Sequence, residues 1–416
     1  MPDFYLRTRC RMCNGSNLQK VMSLTPTPPG NNFLRECDLL HSEPCYPLDL
    51  YFCHGCHHVQ LGHVVDPKIL YQDDYRYVSG TSAQFVRHLH DYAKYVMQRF
   101  DLKAGDFVVD IGSNDGTCLR AFQNEGLKVL GIDPATEIAQ QATRSGIQTI
   151  AEFFSGELAV DLRKKFGPAT FITSHNACAH IDHLDDVIRG VRHLLADDGV
   201  FVLEVGYLLD VYTNIWFDTI YHEHLDYHTV EPFVKLFARL DMEMLGVERI
   251  SPQGGSIRIF AQRSGGLRQA DNTAAALISL EHASGLDKPD TFVTFGHRIK
   301  TIGRSLKTLI EDLKSSGKTI AGYGAATKST TLLSHFGLNQ NDLDFIVDDN
   351  PLKQGRFSPA NHIPVVSSEE LYRRQPDYLL ILAWNFADPI IAAHQEFTRR
   401  GGRFILPMPT PCILQP

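Results

Sequence analysis

The stretch Asp106-Phe107-Val108-Val109-Asp110-Ile111-Gly112-Ser113-Asn114-Asp115-Gly116-Thr117 decides the fold. Its apolar run reads as a buried strand, its Gly-Ser-Asn-Asp-Gly segment as a tight turn, and Cys118-Leu-Arg-Ala-Phe-Gln as the start of a helix. A strand, a glycine turn and a helix N-terminus let a ligand lie against the backbone at the carboxyl edge of a sheet. Lys128-Val-Leu-Gly-Ile-Asp133 gives the next strand, and its acid stands about twenty residues beyond Gly112, the spacing of a ribose-binding carboxylate. The runs Ala169-Thr-Phe-Ile-Thr173 and Gly199-Val-Phe-Val-Leu-Glu-Val205 continue the series as fourth and fifth strands. The fold class is therefore α/β. An amphipathic helix, with Phe85, Leu89, Tyr92, Val96 and Phe100 on one stripe, precedes the sheet.

The turn lacks Gly-x-Gly-x-x-Gly, which argues against a dinucleotide. Asp110, Gly112, Asn114 and Asp115 suit a cationic ligand that carries an amino acid, and the arrangement resembles a class I methyltransferase that binds S-adenosylmethionine. Asp133 would then take the ribose hydroxyls, and Ala151-Glu152-Phe153-Phe154 would border the adenine. Any doubly wound domain with a glycine turn is the alternative.

The bulk composition fits this frame. The chain has 416 residues, 43% of them hydrophobic, and a net charge of -8. Two or three domains are expected. The acidic balance and the lack of a long basic run speak against nucleic acid as a partner. There is no apolar run long enough to span a bilayer and no apolar signal core, so no membrane association and a cytoplasmic location are expected.

Cys10-Arg-Met-Cys13 and Cys53-His-Gly-Cys56 are two Cys-x-x-Cys knuckles. Four thiolates complete a tetrahedral zinc shell and leave no position for water, which makes the ion structural. A redox pair or unrelated buried thiols are the alternatives. Cys37, Cys45, His54, His57 and His58 are further candidate ligands. The long separation of the knuckles requires an inserted loop that includes Thr25-Pro-Thr-Pro-Pro-Gly-Asn-Asn32. Val59-Gln-Leu-Gly-His-Val-Val65 reads as one strand.

Tyr221-His222-Glu223-His224 packs a phenol, two imidazoles and a carboxylate into four residues. Such groups take a proton, orient a base and hold an oxyanion. A metal site or a polar surface helix is the alternative. The motif follows the fifth strand, on the edge where ligands bind. Asn176 and His180 follow the fourth strand and, four apart, face one side if that segment is helical.

In the last third, Phe292 to Leu313 reads as a connecting helix. Lys318-Thr-Ile-Ala-Gly-Tyr-Gly-Ala-Ala-Thr-Lys328 repeats the strand, turn and helix theme, with Gly324 and Lys328 as a cradle for a diphosphate. Phe345 to Pro351 and Asp377 to Asn385 give two more strands, which suggests a half-sized Rossmann-like domain that binds a nucleotide. A purely structural α/β domain is the alternative.

Taken together, the knuckles, Asp-Ile-Gly-Ser-Asn-Asp-Gly-Thr117, Tyr-His-Glu-His-Leu225, Gly-Gly-Ser-Ile-Arg258, Gly-Tyr-Gly-Ala-Ala-Thr-Lys328 and Val-Asp-Asp-Asn-Pro-Leu-Lys-Gln-Gly355 resemble the nucleotide-sugar C-methyltransferases. The resemblance covers almost the whole chain, with Gln253 standing where the pattern has a histidine. It implies a zinc-binding domain over 1–70, an S-adenosylmethionine domain over 71–285 and a Rossmann-like nucleotide-sugar-binding domain over 286–416. It implies methylation at C-3' of a 4-keto-6-deoxy sugar, most naturally linked to thymidine diphosphate. His224 would be the base. Glu223 and Asn176 would contact the sugar near C-4', and Tyr221 and His180 would line the pocket. Tyr75, favoured over Tyr77, would reach in from the segment before the sheet. Gly324, Lys328 and Asn385 would hold the nucleotide sugar. One structural zinc, S-adenosylmethionine and a monomer or weak dimer complete the expectation. Methyl transfer to a sugar oxygen or nitrogen is the nearest alternative. A zinc-knuckle protein without turnover and a nicotinamide-dependent oxidoreductase are more distant ones.

Overall fold

A computed structural model of the chain describes residues 3–70, 80 and 83–415. Tyr75 and Tyr77 lie outside the described residues. The fold is built around one seven-stranded sheet. In chain order its strands are Phe107–Ile111, Lys128–Ile132, Thr149–Ile150, Ala169–His175, Leu195–Gly206, Met242–Ile250 and Ser256–Arg263. Their spatial order is 6-7-5-4-1-2-3. The first five are parallel, and the seventh runs antiparallel between the fifth and sixth.

Alternation along the strands makes two cores. Val108, Phe171 and Val202 face the helices Ala83–Phe100 and Thr117–Asn124. Val109, Ile172 and Phe201 face Gly156–Phe166 and Leu184–Leu194. A sheet covered on both faces needs continuous apolar strands, which is the pattern of residues 107–111 and 199–205. The α/β fold class is borne out.

Residues 3–70 supply three strands of a four-stranded sheet, whose fourth is Asp226–Tyr227 beside Val59–Leu61, and both strands of a two-stranded one. The expected single strand over 59–65 is two, Val59–Leu61 and His63–Val65, which belong to different sheets. Gly62 is the break: a Cβ there would lie 2.2 Å from the Tyr51 ring. The expected loop at Thr25 also begins later, because Leu18–Thr27 is a strand that carries Pro26. Beyond it the insert reaches the last third of the chain. The Thr330 hydroxyl donates to the Gly30 carbonyl at 3.2 Å, and Leu34 bridges Phe357.

The helix Pro289–Ser315 buries Ile299, Ile302 and Leu306 and leads into a six-stranded sheet. That sheet contains Ile320–Tyr323, Ile346–Val347 and Tyr378–Ile381, as expected, and also Val365–Val366, Arg403–Leu406 and Cys412–Ile413. No helix among the described residues is long and apolar enough to cross a membrane.

Arg11, inside the first knuckle, ties these parts together. Its side chain is fully buried. It donates to Asp182 at 2.9 Å, to the Leu61 carbonyl at 2.8 Å and to the Leu225 carbonyl at 3.3 Å, and it lies 3.9 Å from Asp226. Burial pushes the Asp226 carboxyl up, but Arg11 and His58 outweigh it and hold the group below its ordinary value. Replacing Arg11 with Ala takes the guanidinium from fully buried Asp226, while Asp182 keeps Arg7, so we expect a loss of about 3–5 kcal/mol. Thermal and denaturant unfolding of the purified variant measure it. A variant as stable as the parent would remove Arg11 from this role.

Candidate active site

Two groups of polar residues meet at the carboxyl edge of the central sheet. The first surrounds the glycine turn. Gly112, Asn114 and Gly116 all have positive φ, at 78°, 51° and 78°. A Cβ at Gly112 would come 2.5 Å from the Ala177 Cβ, so only glycine fits. Asp110 is buried beneath the turn, its Oδ1 without a hydrogen-bond partner among the described residues, as is the Ser113 hydroxyl. Burial, then Asp133, pushes the Asp110 carboxyl well up. Asp133 accepts from the Asn114 N–H at 2.8 Å and the Ala135 N–H at 2.9 Å, which fixes it at the end of its strand.

Asp110, Gly112, Ser113, His175 and Asn176 line one cavity. Unsatisfied acceptors below a glycine cradle fit the amino-acid end of S-adenosylmethionine, and Asp133 fits the ribose. Asp115 is engaged otherwise: it accepts from the Gly80 N–H at 3.0 Å and from the Thr117 hydroxyl at 2.7 Å, which secures the helix start. Glu152 is exposed and the Phe153 ring is 62% exposed, both just past the third strand.

The second group is the run 216–228. His224 is pinned through both ring nitrogens. Nδ1–H donates to the Thr219 carbonyl at 2.8 Å, which can only accept, so Nε2 carries the lone pair. Nε2 takes a hydrogen bond from the Tyr221 hydroxyl at 2.8 Å. Burial, then His180, pulls His224 down to about 3, and the His180 ring stands 5.0 Å away at 74°. Burial pulls His180 down to about 4, against a hydrogen bond to the Glu223 backbone. Glu223 is 5% exposed, its Oε2 has no hydrogen-bond partner among the described residues, and burial pushes it up to about 7. His222 points away: it is fully buried and donates from Nε2 to the Tyr46 carbonyl at 3.2 Å.

The segment after the fourth strand differs from the expected helical turn. Asn176 has φ 57°, which no right-handed helix allows, and only Cys178–His180 forms a short 3-10 turn. Asn176 therefore lines the cavity under the glycine turn, whereas His180 sits on His224.

Three further segments hold the run in place. The Thr331 hydroxyl donates to the Ile220 carbonyl at 3.0 Å, the Leu61 N–H to Leu225 at 2.9 Å, and the Leu225 N–H to Ala179 at 2.8 Å. Beside it, Lys328 bonds to the Asn385 amide oxygen and lies 5.9 Å from the Trp384 and Phe386 rings. The Trp384 indole N–H donates to buried Asp218 at 2.8 Å. Gly324 has φ 98°, and a Cβ there would meet Ala383 at 2.6 Å.

The four knuckle cysteines gather their sulfurs within 4.8 Å of one another, with Cys10 to Cys56 and Cys13 to Cys53 at 3.5 Å. A tetrahedral zinc with ligands at ~2.3 Å needs sulfurs roughly 3.8 Å apart, so the set fits one ion. The other candidates are employed elsewhere. His54 bonds Gln19, His57 bonds Glu231 and His58 bonds Asp226, while Cys37 and Cys45 are exposed.

Sequence reasoning passed over Arg11, Thr331 and the buried Glu204. Glu204 takes His88 at 2.7 Å and Arg258 at 2.6 Å behind the cavity. An arginine framed by two zinc-ligand cysteines was the available signal for Arg11. Nothing local marks Thr331 or Glu204.

Three family models match in succession. The one described as "Putative zinc binding domain" matches residues 10–71, "Methyltransferase domain" matches 84–246, and "C-methyltransferase C-terminal domain" matches 251–409. The C-methyltransferase NovU of Streptomyces niveus is 35% identical over 405 residues, which cover 97% of this chain and 96% of that one. Among solved structures, the plantazolicin methyltransferase BpumL in complex with SAH is 14% identical, with a TM-score of 0.36 over 45% of this chain and 87% of its own. The magnesium protoporphyrin IX methyltransferase of Synechocystis PCC 6803 with bound SAM is also 14% identical, with a TM-score of 0.33 over 43% of this chain and 79% of its own.

The buried imidazoles make stability depend on pH. His175, His180 and His222 are pulled down to about 4, and His224 and His228 to about 3, all by burial first. A depressed imidazole takes its proton in the unfolded chain below roughly pH 6.5 but not in the fold. Stability is therefore complete above that pH and falls as the solution is acidified toward 4, by up to about 1.4 kcal/mol per group per pH unit. His228 has no hydrogen-bond partner among the described residues for either ring nitrogen, and its ring packs tilted against Phe233 at 4.7 Å. Replacing it with Phe should flatten the decline of the unfolding midpoint between pH 7 and 4 while leaving zinc content unchanged. An unchanged slope would contradict this account.

Proposed function

The chain belongs to the C-methyltransferase family, and from that premise we propose that it methylates C-3' of a nucleotide-linked 4-keto-6-deoxy sugar through an enolate. It is a methyltransferase dependent on S-adenosylmethionine, with a Cys10, Cys13, Cys53 and Cys56 set that fits a structural zinc. The sugar, the position and the base are the proposal. One observation carries it: the Nε2 lone pair of His224, held in a single tautomer by Thr219, faces the Tyr221 hydroxyl in a buried site.

A proton on C-3' is acidified by the neighbouring C-4' ketone. Once the Tyr221 hydroxyl turns from Nε2 to the sugar, His224 Nε2 takes that proton, and the C–H electron pair moves through C-3' and C-4' onto the ketone oxygen. Bound S-adenosylmethionine supplies an electrophilic methyl group for C-3'. Burial and the neighbouring His180 lower the basicity of His224, and an enolate formed beside it supplies the imidazolium with a counter-charge. Glu223, still protonated below about pH 7, donates a hydrogen bond to the developing oxyanion. Asn176, Tyr221 and His180 position the ring, with Tyr75 or Tyr77 as a further contact. Gly324, Lys328 and Asn385 hold the nucleoside diphosphate, for which thymidine is the favoured nucleoside. The division of labour is that of the three regions 1–70, 71–285 and 286–416.

Replacing His224 with Asn should lower turnover by roughly 10²–10⁴-fold and leave S-adenosylmethionine affinity unchanged. In heavy water with S-adenosylhomocysteine, the parent should exchange the C-3' proton of a thymidine-diphosphate 4-keto-6-deoxyhexose and the variant should not, as read by NMR. Exchange that survives in the variant moves the base elsewhere, and a product methylated only on oxygen or nitrogen defeats the proposal.

Glu223 sets a second expectation. Its donor proton is lost as pH rises through about 7, so kcat/KM should decline on that side. Glu223→Gln keeps a donor and should abolish that limb, and an identical profile in the variant would assign the limb to another group.

A further inference from the structure

A second cluster of metal-ligating side chains lies apart from the four cysteines. His57 follows the last knuckle cysteine with φ 65°, Glu231 stands in the first turn of the helix Val230–Arg239, and His282 is near the end of the helix Thr273–Ala283. His57 Nδ1 is 2.9 Å from Glu231 Oε2, and His282 Nε2 is 2.8 Å from the same oxygen. The two imidazoles stand 5.9 Å apart at 76°. All three ligand atoms lie within 4.8 Å of one another.

The geometry points to a second metal site, made by His57, Glu231 and His282, for a first-row divalent cation such as zinc, nickel or cobalt. Two imidazole nitrogens and one carboxylate oxygen are the ligand set that such ions favour over magnesium or calcium. Cis ligands ~2.1 Å from an ion sit roughly 3.0 Å from each other, close to the spacing already present. The ion takes the place of two N–H protons that now point at one carboxylate oxygen.

The other carboxylate oxygen is occupied. Lys235 binds Glu231 Oε1 at 2.7 Å and also donates to the Gly55 carbonyl at 3.1 Å, which holds its charge toward the knuckle. His282 is 42% exposed, so one side opens to solvent and water completes the shell. Such an ion would fasten the knuckle turn to two helices. It would also steady Glu281, the buried neighbour of His282, which accepts from the Val230 N–H at 2.9 Å and from Tyr207 at 3.0 Å.

The test uses the full-length protein with its cysteine-bound zinc in place. After equilibration with excess Zn2+ at pH 7.5 and removal of free metal, the parent should hold two ions per chain and His282→Ala one, by elemental mass spectrometry. Added Zn2+ should raise the thermal midpoint of the parent and not of the variant. A second equivalent of Co2+ should give only weak d–d absorption, without thiolate charge transfer. His57→Ala should also lose the second ion, but because His57 adjoins the knuckle, the exposed His282 carries the decision. One ion in the parent, or two in His282→Ala, overturns the proposal.

Discussion

The buried guanidinium of Arg11 is the constraint from which the rest of the arrangement follows. A charge removed from water must be repaid in hydrogen bonds, and the partners of this one lie in three places: the sheet of the first region, the loop after the fourth strand, and the backbone that ends Tyr-His-Glu-His-Leu. Arg11 itself stands between two knuckle cysteines. The thiolate cluster thus fixes the arginine, and the arginine fixes the Leu225 carbonyl next to His224. The zinc knuckles hold no catalytic group, yet they help set the position of the site. The C-terminal region acts on the other end of the same run, through Thr331 on Ile220. His224 sits where all three regions grip one irregular stretch of chain.

That placement explains the electrostatics. An irregular loop can be buried only if its polar groups find partners. Here the partners are largely carbonyls, and carbonyls fix imidazole tautomers without charging them. The outcome is a buried site whose histidines burial keeps below their ordinary pKa and whose Glu223 carboxyl burial pushes up to about 7. The cavity under the glycine turn differs: among the described residues, Asp110 and Ser113 keep oxygens without a hydrogen-bond partner beneath the cradle, which suits a polar ligand.

Much of this was legible in the sequence because it is local. The strand, turn and helix at 106–124, the helix over 83–100 and the four cysteines are each specified by spacing within a few residues. Short strands such as Val365–Val366 and Cys412–Ile413 were not, since two residues carry no period. The helical reading of 176–180 failed because a left-handed asparagine leaves no trace in an apolar pattern. The residue types alone do not separate the two histidines of one motif, and only the family resemblance points to His224; in three dimensions Tyr46 claims His222 and Thr219 claims His224. Long-range contacts of that kind depend on topology, and no local signal encodes them.

The insert between the knuckles has a consequence for how the protein is made. Gly30 rests on a helix whose Thr330 is 300 residues further along the chain. At a translation rate of about 5–20 residues per second, that partner emerges roughly 15–60 seconds after the insert. Until then the face that includes Phe33 and Leu34, both buried in the finished molecule, has nothing to cover it. A segment made early is thus completed late, and its apolar face waits for a partner that lies 300 residues further along the chain.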